Sequence, residues 1–350
     1  MQGLLSEGTL YSPAFEFLYP PFFAFLVVPL LRFPVSVAEN IWFLILLAAL
    51  FSSFFLLVTS FSKRSSLLWA LSLFVFSQFE PLYVELSYSN VDLLILFTLV
   101  VAYRLEQKGL FFWSGVCLAL GALIKITPAS FLFYFLITKK WKSILGFLGG
   151  LLFFSALTFL LVGVKGWSDF FLVGVPQLLV GNTGNRLNQS FANSLLRIYQ
   201  ILGRGEGLGK SSPWVWAGSF AFTVVIIFSL WHFIKKGKHR PLGLEYAAVI
   251  CAMLLSSPTM NETHLVILLF PFSILIGFFF QNPPKETRWV FWTGVAFTIV
   301  ALRYGYTAPF LGGKLWGLPL AKARFFGTCL TYLCCLFSLR EENKKACTFT

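Results

Sequence analysis

The chain is predicted to be all-α, an integral membrane protein that crosses the bilayer many times. Three observations lead there. Hydrophobic residues make up 57% of the 350 residues, with a mean hydropathy of +0.79. Charged residues make up only 12%, against about 25% in a soluble domain. The apolar residues are gathered into long runs, and a run of roughly 18 or more reads as a membrane span. The runs fall near 38–60, 66–83, 90–105, 109–125, 127–138, 142–163, 213–234, 244–259, 264–281, 288–304 and 323–339. They predict about ten to eleven membrane helices, some short or re-entrant, in a single multi-pass domain over 1–350. The 43 Phe and 11 Trp suit packing against lipid and at its interface.

The formal charge of +13 could suggest a nucleic-acid partner. The basic residues argue otherwise, because they cluster in short loops between spans. These loops hold Lys63-Arg64, Arg104/Lys108, Lys139-Lys140/Lys142, Lys235-Lys236/Lys238/Arg240, Lys285/Arg288 and Arg340/Lys344-Lys345. The short turns on the other side, 84–90 and 256–263, hold no Lys or Arg. By the positive-inside rule the basic loops are cytoplasmic. The stretches 1–37, 164–212, 256–263 and 303–324 then face outward. This predicts a multi-pass protein of the cell membrane, the bacterial inner membrane best of all. The six cysteines show no metal-ligand spacing and no disulfide framework. The first residues, MQGLLSEGTLYSPAFEF, do not read as a secretory signal.

Several polar residues have plain structural readings. Ser36-x-x-Glu39 and Ser89-x-x-Asp92 precede apolar runs and match capping boxes. Gly146-x-x-x-Gly150 matches a helix-packing face. GRGEGLGKSS (203–212) looks like a phosphate loop, but Arg204 stands where that loop needs its first glycine. It reads as an external loop. No repeat of 20–50 residues is visible, and no matched pair of broken spans of the transporter kind.

Two apolar elements are too short to span. YPPFFAFLVVPLLRFP opens on Pro20-Pro21, which suits a helix start, and Pro34 limits its far end. Its dozen or so residues cover roughly 18 Å at 1.5 Å each, against roughly 30 Å of hydrocarbon. It is predicted to lie at the outer face. The second is ALIKITPASFLFYFLITKK, where Thr127 can cap and Pro128 suits a first turn. If this helix returns to Lys139-Lys140, Lys125 lies at membrane depth. A lysine there faces a cavity or a partner rather than lipid. Beside a helix N-terminus it would build an anion site. The alternative is a lysine that only snorkels to the interface.

Four segments occur in a telling order: LYSPAFEFLYPPFFAFLVVPL (10–30), SNVDLLILFTLVVAYRLEQKGLFFWSGVCLALGALIKITPASFLFYFLITKKWK (89–142), NQSFANSLLRI (188–198) and SSPTMNETHLVILLFPF (256–272). Together they resemble glycosyltransferase family 87, polyprenol-phosphate-mannose-dependent mannosyltransferases of the GT-C fold. The resemblance implies an inverting, metal-independent transfer of a hexose, mannose above all, on the outer face. The donor is a polyprenyl-phosphate-linked sugar taken from the lipid bilayer. The acceptor is a glycan, a glycolipid or a protein, and no cofactor takes part. A carboxylate deprotonates the acceptor hydroxyl, and cations meet the leaving phosphate.

Carried onto this chain, the resemblance makes Glu16 and His264 the catalytic candidates. Tyr19, Lys125, Asn188, Gln189, Asn261 and Glu262 are the substrate-binding candidates. The match at 256–272 is partial: an aromatic residue and a second His are common there in the family, where this chain has Asn261, Glu262 and one His264. The family's general base is an Asp in the first external loop, upstream of the Tyr-Pro-Pro stretch. No counterpart precedes Gly8-Thr9-Leu10-Tyr11, and the expectation is a start further upstream. Glu16, nearest the Tyr-Pro-Pro element, is the substitute base, ahead of Glu7, Glu80, Glu85, Asp169 and Glu262. Two other readings compete: a transporter or flippase for a lipid-linked sugar, and an inactive paralogue.

Overall fold

A computed structural model describes residues 11, 17–61, 65–180, 188–202, 213–236, 241–281, 289–290, 293–294 and 322–348. Among the described residues every regular element is a helix. The chain divides into two compact units. One comprises Met1–Ser53 and Ser89–Asn182; the other comprises Phe54–Tyr88 and Thr183–Thr350.

In the first unit, α1 (Pro21–Val27) runs on as a 3-10 turn, Val28–Arg32, so the short apolar element is as brief as its prolines predict. Helix α2 (Val35–Val58) begins in this unit. Its first turn is closed by the Pro34 carbonyl, which accepts from Val37 and Ala38. Ser36 is therefore inside the helix rather than at its cap, and the Ser36–Glu39 capping box does not form. Helix α5 (Asp92–Gln107) ends at Gly109, whose φ of +74° lets Gly109 and Leu110 donate back to Glu106 and Leu105. That is the left-handed stop glycine accepts most readily.

Helix α6 (Phe111–Ile124) lies against α8 (Trp141–Asp169), and glycines set their spacing. A Cβ on Gly146 would sit 1.9 Å from the Phe112 carbonyl oxygen, and one on Gly115 2.0 Å from that of Ser143. One on Gly150 would meet Ala119 at 2.9 Å. The Gly-x-x-x-Gly expectation is met by backbones in near contact. Between them a 3-10 turn, Thr127–Ser130, leads into α7 (Phe131–Thr138). Ile126 occupies the N-cap and the Thr127 hydroxyl is buried without a partner, so Thr127 does not cap. Lys140, from the basic loop after α7, pairs with the buried Glu106 and reaches the Tyr134 hydroxyl.

The described residues of the stretch 164–212 are more regular than a loop. Helix α8 breaks its dihedrals at Gly163 (φ 60°, ψ −167°) and then continues to Asp169. A π turn, Phe170–Gly174, and α9 (Val175–Val180) follow. Tyr11 packs there on Phe170 and donates to the Tyr19 carbonyl at 2.7 Å.

In the second unit, α3 (Ser66–Gln78) and α4 (Glu80–Tyr88) replace the single span expected at 66–83. They meet at Phe79 with a bend of 56°. Phe79 is wholly buried, edge-on to Phe272 at 5.6 Å. The outer turn expected at 84–90 is thus mostly helix. Helix α10 (Phe191–Ile201), capped by the Ser190 hydroxyl, is followed by α11 (Pro213–Lys236) and α12 (Leu242–Leu255). Helix α12 is buried all round from Leu244 to Leu255, Glu245 included, as a helix apolar on nearly every face requires. A 3-10 turn, Thr263–Leu268, leads into α13 (Leu269–Gln281), and α14 (Ala323–Thr348) packs on α11 and α12.

Four of these helices are long and apolar enough to cross a membrane, or five if α3 and α4 form one bent span. Pro21–Arg32, Phe111–Ile124, Thr127–Thr138 and Leu242–Leu255 are apolar but shorter. The chain is an all-α polytopic membrane protein. The span expected at 288–304 and the loop 203–212 lie outside the described residues, apart from four positions in the former.

Candidate active site

Two polar clusters stand out, one in each unit. The first is built at the start of α5. Ser89 holds a left-handed backbone, φ +49°, and its carbonyl accepts the Trp42 indole N–H at 2.7 Å. This turn presents Asn90, whose Oδ1 accepts both the Val91 N–H (2.8 Å) and the Tyr19 hydroxyl (2.6 Å). Asp92 follows as the first residue of α5, where the helix dipole favours a negative charge. Its carboxylate does not cap. It takes the Lys125 ammonium on both oxygens, at 2.7 and 2.8 Å.

Lys125 stands where α6 ends, in an extended conformation that turns the chain toward the 3-10 turn. Its side chain is 14% exposed and that of Asp92 is wholly buried. The sequence reading finds Lys125 and misses its partner. The missed signal is general: an ionisable group at membrane depth seeks a counter-charge. Here the Ser89-x-x-Asp92 pattern offers a simpler explanation for Asp92, and the simpler explanation is wrong. An ammonium has three N–H donors and two are spent on Asp92. Direction is left for one more acceptor. Tyr19, a substrate-binding candidate, joins this element through Asn90.

The second cluster is built around the turn 256–263. Asn188 is wholly buried and stitches that turn in place. Its Oδ1 accepts from the Ser190 and Met260 N–H groups at 2.8 and 3.0 Å, and its Nδ2 donates to the Pro258 carbonyl at 3.2 Å. The Gln189 N–H donates to the Met260 carbonyl at 2.8 Å. The Asn188 carbonyl accepts from the Lys322 ammonium at 2.6 Å. Asn188 is thus a clamp on the turn, and the Gln189 side chain is buried beside it.

Within the turn, Glu262 is buried and pairs with Arg324, itself almost fully buried. Burial pushes the Glu262 carboxyl up from the usual carboxylate range. Arg324 pulls it back, and the nearby charge of Glu80 pushes it up again. Glu80 arrives on α4, which packs against the 3-10 turn after Glu262. His264 is half-buried, with Nδ1 3.2 Å from the Thr259 carbonyl. The Asn261 side-chain oxygen is buried without a hydrogen-bond partner. Arg324 and Lys322 belong to this cluster and escape the sequence reading, because they sit beyond the matched segments. Glu16 lies outside the described residues. No group of three or more His, Cys, Asp or Glu that could hold a metal occurs among the described residues.

Short and bent apolar helices, with buried ion pairs among them, define a polytopic membrane protein. The sequence profile of glycosyltransferase family 87 matches residues 17–258, and the chain belongs to that family. It is similar to a polyprenol-phosphate-mannose-dependent α-(1-2)-phosphatidylinositol pentamannoside mannosyltransferase of Mycolicibacterium smegmatis. The two are 27% identical over 299 residues, which cover 82% of this chain and 68% of the relative. No solved structure matches the chain.

Proposed function

We propose that the protein moves a mannose from polyprenyl-phosphate mannose to a glycolipid acceptor, with inversion, on the extracytoplasmic face of the cell membrane. The observation that carries this reading is membership of family 87 together with the Lys125–Asp92 pair at a helix start. In the reaction an acceptor hydroxyl oxygen bonds to the anomeric carbon. The bond from that carbon to the phosphate oxygen breaks. The electron pair leaves on polyprenyl phosphate and the hydroxyl proton passes to a carboxylate.

Lys125 and His264 are each proposed as a candidate to meet the charge that grows on the leaving phosphate, the interaction that counts most in such a step. Glu16 is the proposed base. Tyr19, Gln189, Asn261 and Glu262 are the proposed contacts to sugar and acceptor, with Asn188 holding the turn that carries two of them. The relative's name supports both a polyprenol-phosphate-mannose donor and a phosphatidylinositol mannoside as the acceptor class to try first.

The test is transfer by the purified full chain in lipid nanodiscs, from decaprenyl-phosphate mannose to phosphatidylinositol mannosides. A new glycosidic bond, lost in Glu16→Gln and reduced in Lys125→Ala and His264→Ala, is the expected result. Movement of the donor across liposomes with no new bond would make the protein a flippase instead. Full activity in Glu16→Gln would remove Glu16 as the base.

A further inference from the structure

The start of α14 carries a cation that its own helix does not call for. Arg324 is the second residue of α14 and is 2% exposed. A positive charge in the first turn of a helix is opposed by the helix dipole, so α14 gains nothing from it locally. Its partner is Glu262, 6% exposed, in the turn between α12 and α13. A buried ion pair adds little net stability over apolar residues of the same volume, so burial alone gives no reason for this one. Both residues lie beyond those the family profile matches, and membership of the family assigns neither a role.

Arg324 engages Oε1 of Glu262 and is its only ion-pair partner among the described residues. A carboxylate offers about four acceptor sites on its two oxygens, so Oε2 can still accept from a hydroxyl. The charged groups acting on Glu262 are Arg324 on α14 and Glu80 on α4. Glu85 lies further along α4, and His264 follows in the same turn as Glu262. Helices α12 and α13 also pack on this turn, and they hold no charged residue from Tyr246 to Leu255 or from Leu269 to Gln281. Lys322, as deeply buried as Arg324, donates instead to the Asn188 carbonyl and Asn193 Oδ1. Burial first, then the charge of Arg197, lowers its pKa to about 7. For Glu262, burial and Glu80 favour the protonated form, and Arg324 opposes them.

We infer that Arg324 is a positioning residue of the transfer site: from α14 it holds Glu262 in place as a carboxylate whose second oxygen accepts from a hydroxyl of the sugar or the acceptor. This rests on the proposed function and accounts for how one of its contacts is kept charged. Protonation of Glu262 removes that acceptor, so activity falls as pH drops through its pKa. Without Arg324 the fall comes at higher pH, and without Glu80 at lower pH.

The test is the pH profile of kcat/KM, which reports groups of the free enzyme. It is measured on the full chain in nanodiscs, for transfer from decaprenyl-phosphate mannose to phosphatidylinositol mannosides. Arg324→Gln is expected to move the acid limb to higher pH by about one unit or more, the usual effect of losing an adjacent opposite charge. Glu80→Gln should move it to lower pH, and Arg324→Lys should return it most of the way to the unaltered profile. In a Glu262→Gln background neither Arg324→Gln nor Glu80→Gln should move the limb that remains, which separates Glu262 from Lys322 and Glu16. Opposite shifts do not come from a general loss of packing. Glu80 is only half-buried, so Glu80→Gln decides the matter if Arg324→Gln does not fold. No shift in Glu80→Gln, shifts of one sign in both variants, or shifts that persist without Glu262 would overturn the positioning role while leaving the transferase reading intact. Failure of the unaltered chain to make a glycosidic bond would remove the transferase reading, and this role with it.

Discussion

Lys125 and Asp92 make a pair whose structural and chemical parts can be separated. Removing one member of a buried pair leaves the other uncompensated, which costs about 3–5 kcal/mol. Lys125→Met alone should therefore lower thermal stability strongly, because Asp92 is wholly buried. Asp92→Asn added to it should restore most of that stability, since no charge is then left without a partner. Transfer should stay on the order of 10²-fold down in kcat in the double variant, the usual loss for a missing donor to developing charge. Recovery of both stability and kcat would make the pair scaffolding alone. Lys322 carries a pH dependence of its own. Its folded pKa of about 7 lies below the ordinary lysine value of 10.5. Between these two values the unfolded chain holds more protons than the folded one, so stability rises with pH across that window. The burial cost is present in full below pH ~7. Chemical denaturation at pH 6.5 and 9 should show this rise, and Lys322→Met should flatten it.

At the scale of elements, what the sequence discloses follows what is local. The short helix after Pro20-Pro21 and the close packing of Gly146 and Gly150 each rest on backbone rules that act within a few residues. The errors fall where a distant group wins. Ser36 and Thr127 have the residue type of a cap but lose the position to Pro34 and Ile126. Asp92 is recruited by a lysine 33 residues away, and Asn188 by a turn about 70 residues away. Neither partnership leaves a mark in local periodicity. Asn188 also shows how a polar residue in a recognisable segment can serve by holding other residues. Asn188→Ala would strip acceptors from two buried N–H groups, at about 1–3 kcal/mol for each one left unmade. The expected outcome is a lower unfolding temperature and raised KM with a smaller change in kcat. Gly146→Val should be worse, because the Phe112 carbonyl occupies the space a side chain needs. Loss of folded protein on size-exclusion chromatography is the measurement.

For the whole molecule, the charge asymmetry of the loops predicts which side each turn faces. Lys139 and Asn261 stand in turns of opposite assignment, and neither lies inside an apolar span. Single cysteines at these positions, in a background without the native cysteines, should react with an impermeant maleimide from opposite sides of intact cells. Position 261 should label from outside and position 139 only after permeabilisation. Labelling of both from one side would invert or break the topology on which the proposed extracytoplasmic chemistry depends.

The break at Phe79 fixes an azimuth as well as a direction. Each residue advances a helix by about 100°, so the direction in which Glu80 leaves α4 is set by the single residue at the joint. A one-residue insertion there would swing its carboxylate about 100° round the axis, away from the turn that carries Glu262. The acidity around that turn is thus dialled by the phase of a screw.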